Sequence, residues 1–321
     1  MEIKNELKFM FTAHWKYLAV STACKLNVFD AITEDGSTAT ILSEKLKLNL
    51  TSLIFLLDAL TSEGFLTKEN LTYSLTNKAD YLTENHPESL KYACMNWSAE
   101  HLTAWQDLDY TVKTGQSSFK HIYSQDFFTY IGEDPIKLHN YHRAMFEYAR
   151  DDFKQICNYI DFSKHKSIID VGGGYGALIS YIKANNPGID CYLFDFENVV
   201  KNACVDSIVK ISGNFFENIP AISDALVLSR ILHDWDDEKA LAILKNCYDA
   251  LPKNGTIYII ENCKDHNLTD LSLLSLNMQI MCQSFERDSS AYKNLLFDAG
   301  FKFETDTKLN ELQTILIFTK S

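Results

Sequence analysis

Apolar residues recur at helical spacing through the first half of the chain, then gather into short, nearly continuous runs through the second. Between residues 7 and 95, STATILSEKL (37–46) and NLTSLIFLLDALTSEGFL (49–66) carry apolar positions three and four apart, with a short polar break between them. That spacing predicts two helices joined by a turn. LTKENLTYSLTN (66–77) follows and alternates in polarity, which predicts a small hairpin. Helix, turn, helix and wing is therefore the expectation for residues 1–95. Residues 96–160 stay helical in period and are rich in aromatics (Trp97, Trp105, Phe127, Phe128, Tyr141, Phe146, Tyr148, Phe153), as expected of a bridging layer of helices.

Residues 161–321 change character. SIIDV (167–171), IDCYLFDF (189–196), VKIS (209–212), DALVLSR (224–230) and TIYIIEN (256–262) are apolar runs separated by helical stretches, the pattern of a parallel sheet wrapped by helices. Pro187, Pro220 and Pro252 fall between these elements, where a missing N–H does least harm. The last two runs, FKFETDTKL (301–309) and QTILIFTK (313–320), are joined by so few residues that they must pair antiparallel, because a parallel pair needs a crossover of about a dozen residues or more. The expected fold class is thus α/β: a Rossmann-like sheet ending in an antiparallel hairpin, behind a mainly helical winged-helix-like N-terminal domain.

Composition narrows the partners. The 321 residues are 46% hydrophobic and 23% charged, with a net charge of −13 that repels phosphate backbones and anionic lipid. No nucleic-acid or membrane partner is expected. The N-terminal stretch has no apolar core followed by a small-residue cleavage site, and no run reaches the roughly 18 residues of a membrane span, so a cytoplasmic protein is expected. Eight cysteines stand singly, without a C-x-x-C pair, as reduced thiols do. His139 and His142, three apart, have the spacing to share a metal but lack an obvious third ligand, so no metal is expected.

Candidate chemistry lies where the strands end, because ligands of open α/β sheets bind outside the carboxyl ends of the strands. The first strand ends in Asp170 and runs into GGGYG, whose Gly172, Gly174 and Gly176 let a ligand approach the backbone. The second ends at Asp195, an acid suited to both hydroxyls of a ribose. Asn214 and Phe215 follow the third, an amide and a ring for an adenine edge and face. The fourth delivers His233 and the fifth ends at Glu261. The glycine turn alone also fits a dinucleotide, with Ala177 in the last glycine place. The acid before the turn and the terminal hairpin point instead to S-adenosylmethionine, which has no pyrophosphate.

These segments resemble a known family. DVGGGYG, LFD, SGNFFENIP, SRILHDWDDEKALAILKNC, IIE and FERDSSAYKNLLFDAGF, with LNVFDAI, LSEKLKL, LLDALTSEGFLT and YSLT before them, resemble the S-adenosylmethionine-dependent O-methyltransferases of small molecules, the group of plant caffeate and acetylserotonin enzymes and bacterial antibiotic-tailoring relatives. The resemblance implies that His233 is the general base, with Glu261 and Glu286 holding its ring. It also implies that Asp195 grips the ribose, that Asp170 and the glycine turn (Gly172, Gly174) serve the methionine end, that Trp235 lies near the adenine, and that the winged-helix domain forms a homodimer. This chain departs from the family pattern in three places. Asn214 stands where an acid is usual, the proline after the ribose acid is missing, and Arg230, expected among the cofactor contacts, replaces the lysine of plant members.

The base assignment also has a physical argument. A phenol of pKa about 10 is a weak nucleophile at neutral pH, and free imidazole at about 6.5 falls short of it by roughly 4.8 kcal/mol. A carboxylate partner narrows that gap. Glu261 is the first candidate for that partner and Glu286 the second. Met145, Phe146, Asn277, Met278 and Met281 are the candidate acceptor contacts, flat apolar surfaces with one orienting amide. The alternatives are a non-methylating reaction on the same cofactor (decarboxylation, hydroxylation, a pericyclic step), nicotinamide-dependent hydride transfer, and a winged-helix DNA regulator. Against the last, TSLIFLLDALTSEGFL (51–66) has no Lys or Arg and carries Asp58 and Glu63, whereas phosphate contacts need cations.

Overall fold

A computed structural model describes residues 3–265 and 268–321. The chain divides into two compact units, Met1–Leu102 and Thr103–Ser321. In the first, the helix Ala39–Leu46 starts at Thr38, whose hydroxyl accepts the Ile41 N–H, and Leu50–Ser62 starts at Asn49, whose side chain accepts from Ser52. Strands β1 (Ser37–Thr38), β2 (Leu66–Glu69) and β3 (Thr72–Leu75) form a sheet in the order β1-β3-β2, the expected wing. Leu42, Leu53, Leu57, Leu60 and Tyr73 close its core. The long helix Ile3–Lys25 buries only Val20, Ser21, Ala23 and Cys24, and leaves Phe9, Met10, Phe11 and Trp15 exposed.

The second unit is a seven-stranded sheet of β4 (Ser167–Val171), β5 (Asp190–Asp195), β6 (Val209–Ser212), β7 (Ala225–Ser229), β8 (Thr256–Asn262), β9 (Phe301–Lys308) and β10 (Gln313–Lys320). Its order is β6-β5-β4-β7-β8-β10-β9, with β4 to β8 parallel and β10 antiparallel to both neighbours. The continuous apolar runs are the strands buried on both faces: every residue of β8 is buried, whereas the edge strands β6 and β9 are mostly exposed. Successive residues feed opposite cores. Ile168, Val227 and Tyr258 pack with helical residues Phe119, Phe127 and Phe153, while Ile169, Leu226 and Ile257 pack with Ile243, Leu244 and Leu296. Helices of 103–160 therefore share one core with the sheet. No described helix is long and apolar enough to cross a membrane.

Candidate active site

Strand β4 ends in a turn that only glycine adopts without strain: Gly172, Gly174 and Gly176 have φ of 73°, 57° and 80°. The neighbours are as restrictive as the backbone. A Cβ on Gly172 would lie 2.6 Å from Ile231 Cδ1 and 3.5 Å from Phe215 Cε1, and one on Gly174 would lie 3.2 Å from His142 Nδ1. The turn is tied to the next strand through Asp195, whose Oδ2 accepts the Gly174 N–H at 2.9 Å while Oδ1 accepts the Phe196 N–H at 2.7 Å. Burial raises the Asp195 carboxyl to about 6, against the pull of those two amides. Asp170 is raised to about 7 by burial and by the neighbouring Asp195 charge. Its Oδ2 is buried without a hydrogen-bond partner among the described residues. A bare cradle, an orphaned carboxylate oxygen and an acid beside the turn together fit a small ligand carrying an amine and a ribose.

Four aromatic rings form a flat apolar box beside the turn. Trp235 meets Phe216 edge-on at 4.7 Å, Phe215 at 6.2 Å and Phe128 at 5.7 Å. Phe215 was legible from the strand ends and Trp235 was implied by the family resemblance, whereas Phe128 and Phe216 were not singled out as ligand contacts. Asn214 shapes this corner: its Oδ1 accepts the Phe216 N–H at 3.0 Å and its amide donates to Glu217 at 3.2 Å, leaving one lone pair for a ligand amine.

His233 stands on a single 3-10 turn, Leu232–Asp234, between β7 and the helix Asp237–Ala250. The imidazole is buried and its Nδ1 lies 2.9 Å from Glu286 Oε1, which also accepts the Asn262 amide at 3.1 Å. Glu261, expected first as the ring's partner, does something else. Its Oε1 accepts the Ile231 and Leu232 N–H groups at 3.0 and 2.7 Å, because the end of β8 faces the backbone leaving β7 rather than the ring. Glu286 makes the hydrogen bond to the ring, which reverses the expected order. Burial alone would lower the His233 pKa, but the charges of Glu286, Asp234 and Glu261 outweigh it and raise it to about 10. Glu286 is held below its usual range against its own burial by the imidazolium and the Asn262 amide. Burial lifts Glu261 to about 7 and Asp234 to about 6.

Arg230, expected with the cofactor, sits with this charge cluster. Its φ is 53°, its guanidinium lies 3.5 Å from Asp152, and its charge lowers the carboxyls of Glu286 and Asp234. Burial, with the Asp234 charge adding to it, pushes the Tyr141 hydroxyl well above its ordinary range. The two histidines weighed as a metal pair are held apart in role. His139 Nδ1 is 3.2 Å from the Tyr175 hydroxyl, and His142 stacks on the same tyrosine at 5.3 Å.

Among the expected acceptor contacts, Asn277, Met278 and Met281 are buried on the helix Leu268–Cys282, and Met145 and Phe146 are half-buried on Pro135–Phe153. Met281 and Phe146 also pack into the sheet's core. The Trp105 indole N–H donates to Asn277 Oδ1 at 2.9 Å, which fixes which end of that amide is free.

Comparison with known proteins identifies the architecture. A family model described as the O-methyltransferase domain matches residues 105–302, and one described as the O-methyltransferase dimerisation domain matches residues 9–85. The phenazine O-methyltransferase PhzM of Lysobacter antibioticus is 28% identical over 306 residues, 92% of this chain and 90% of the relative. The 3-amino-4-hydroxybenzoate 4-O-methyltransferase of Streptomyces cremeus is 30% identical over 313 residues, 94% of this chain and 86% of that one. The crystal structure of LaPhzM matches with a TM-score of 0.95 at 27% identity over 100% of both chains. Human N-acetylserotonin methyltransferase, solved with its methyl donor, shares the fold with a TM-score of 0.90 at 24% identity over 100% of this chain and 98% of its own. The chain belongs to the O-methyltransferase family, and its cofactor is S-adenosylmethionine.

Proposed function

We propose that the enzyme methylates a hydroxyl of a small aromatic acceptor, a phenol, and that His233 takes the proton. The observation carrying this reading is the buried His233–Glu286 pair, placed two residues beyond Ile231, whose side chain reaches the Gly172 turn. The aromatic names of the two bacterial relatives, a phenazine and an aminohydroxybenzoate enzyme, agree with it. The bound cofactor supplies a methyl group on a positively charged sulfur. The chain does the rest. Asp195 and the glycine turn hold the ribose and methionine ends, Asp170, buried beneath Gly173, backs the turn, and Phe128, Phe215, Phe216 and Trp235 hold a flat base.

At His233, Glu286 occupies Nδ1, leaving Nε2, 3.7 Å from Asp234 Oδ1, as the nitrogen for the acceptor. A ring near 10 matches a phenol of about 10, so the roughly 4.8 kcal/mol deficit of free imidazole nearly vanishes. The same elevation keeps the resting ring protonated at neutral pH. His233 must shed that proton before it can act, and a cation in the cradle favours the loss. Around the acceptor, Met145, Phe146, Met278 and Met281 supply apolar contact, and the Asn277 N–H, fixed by Trp105, donates to a polar substituent. No feature of the site favours decarboxylation, hydroxylation, a pericyclic step, hydride transfer or duplex DNA binding over this reading.

The test is His233→Gln with labelled S-adenosylmethionine and a panel of phenols. Turnover should fall about 10²–10⁴-fold, the usual worth of a positioned base. Calorimetric affinity for S-adenosylhomocysteine should stay within threefold. Near-normal turnover in the variant would refute the base. We further propose a homodimer built on the 9–85 segment, where Phe11 and Trp15, four apart on the helix Ile3–Lys25, form an exposed apolar face.

A further inference from the structure

We propose that Arg287 is a positioning residue for the reaction: it locks the turn that carries His233 by gripping the carbonyls on both sides of the histidine. The inference rests on His233 being the base, as proposed above, although the grip itself stands on geometry alone.

The turn holds itself together poorly. Arg230, which leads into it, is left-handed at φ 53°, and Leu232–Asp234 is one 3-10 turn closed by two long bonds, the Asp234 N–H on the Ile231 carbonyl at 3.2 Å and the Trp235 N–H on the Leu232 carbonyl at 3.3 Å. Short 3-10 turns have weak internal hydrogen bonds and leave polar groups at both ends for other partners. Those partners come from outside. On the N–H side, Glu261 takes Ile231 and Leu232. On the carbonyl side, Arg287 Nη1 donates to Leu232 O at 2.9 Å and Nη2 to Trp235 O at 2.8 Å.

Nε and Nη2 of the same guanidinium donate to Asp237 Oδ1, at 2.8 and 2.7 Å, at the first position of the following helix. One planar group thus spans the turn and the helix after it. A lysine, with all its donors on one nitrogen, cannot reach both carbonyls and the carboxylate. Arg287 is 1% exposed, yet no ligand is needed to explain its charge, because four of its five N–H donors are spent on this segment.

Arg287 is also the residue after Glu286, so turn and ring are held by adjacent residues on one stretch of backbone. That stretch is anchored by the Cys263–Arg287 bridge, by the Lys264 N–H on Arg287 O at 3.1 Å, and by Ser275 Oγ accepting the Glu286 N–H at 3.2 Å. Loosening Arg287 therefore loosens the distance from Glu286 to His233. The groups that set the His233 titration are Glu286, Asp234 and Glu261 around the ring, with Arg230 acting on the first two.

The experiment compares Arg287→Met, Arg287→Lys and Asp237→Asn in the full chain. It reads the ¹⁵N-imidazole titration of His233 (assigned by its loss in His233→Gln), calorimetric affinity for S-adenosylhomocysteine, and turnover with a phenolic acceptor. In Arg287→Met the titration midpoint should drop by at least one pH unit. Its kcat should fall about 10²-fold with the acceptor KM within threefold, and S-adenosylhomocysteine affinity should be unchanged. Arg287→Lys should lie between it and wild type. Asp237→Asn, which keeps both carbonyl contacts, should stay within threefold of wild type. If Arg287→Met does not fold, the lysine variant decides, and an unmoved His233 midpoint in a folded Arg287 variant overturns the proposal. A shifted midpoint alongside undiminished turnover in His233→Gln would instead sink the base assignment and leave the grip standing.

Discussion

As the proposed base, His233 takes up a proton only after its ring has lost its own, so the pH dependence of turnover tests the charges around it. Burial opposes the imidazolium, but Glu286, Asp234 and Glu261 favour it and carry the ring to about 10. Turnover should therefore rise with pH above neutrality. Glu286→Gln removes the hydrogen-bonded charge, so the ascending limb should move to lower pH while the plateau falls, in a pH–rate profile. Glu261→Gln, acting on backbone N–H groups, should shift the limb less. For stability the sign follows from linkage: a folded pKa above the unfolded value of about 6.5 favours the native state at low pH, and this contribution disappears as pH rises through about 10.

Asp170 gives a second sign. Its folded value of about 7 lies above the unfolded one, so its contribution to stability is full below about 4 and is lost as pH rises toward 7. Asp170→Asn should raise the apo melting temperature at pH 8 by relieving a cost on the order of a few kcal/mol, and should weaken S-adenosylhomocysteine binding. An apo melting temperature that fell at pH 8 would contradict this. His233, Asp170 and Asp195 were legible because each sits at the end of an apolar run. The exchange of roles between Glu261 and Glu286 was not. It depends on which way side chains point across contacts 29 and 53 residues apart in sequence. Arg287 was equally hidden, because its acceptors are carbonyls and a sequence does not display those.

At the scale of elements, the glycine turn and Asp195 act as one unit. The Gly174 N–H is already bonded to the carboxylate proposed to take the ribose, so the cradle is shaped before a ligand arrives. Protonating Asp195 weakens both contacts, and cofactor affinity should fall as pH drops through about 6, with Asp195→Asn flattening the profile in calorimetry. Gly172→Ala should cost at least tenfold in the same measurement, because the added methyl meets Ile231 at 2.6 Å on a backbone at φ 73°. The central strands were readable because buried parallel strands are nearly all apolar. The order in which β10 enters the sheet was not readable, because periodicity reports burial and not neighbours.

For the molecule as a whole, the chain divides at Leu102 and Thr103 rather than where the periodicity changes near residue 160, because the helices of 103–160 share one core with the sheet. The exposed face of Ile3–Lys25 belongs to the dimerisation segment, and a chain with a net charge of −13 does not bring copies together by long-range attraction. Apolar contact must do it. Phe11→Asp with Trp15→Asp should halve the mass measured by light scattering, and a wild-type chain that already ran as a monomer would remove that basis.

β10 lies between β8 and β9, so the innermost edge of the sheet is covered by residues that leave the ribosome about fifty positions after β8. Until then β8, buried along its whole length in the finished protein, offers a bare line of amides and carbonyls to any strand nearby. Synthesis of this enzyme thus passes through an interval of stickiness written into its topology. Slowing translation between residues 262 and 313 should increase the share of chains lost to aggregation.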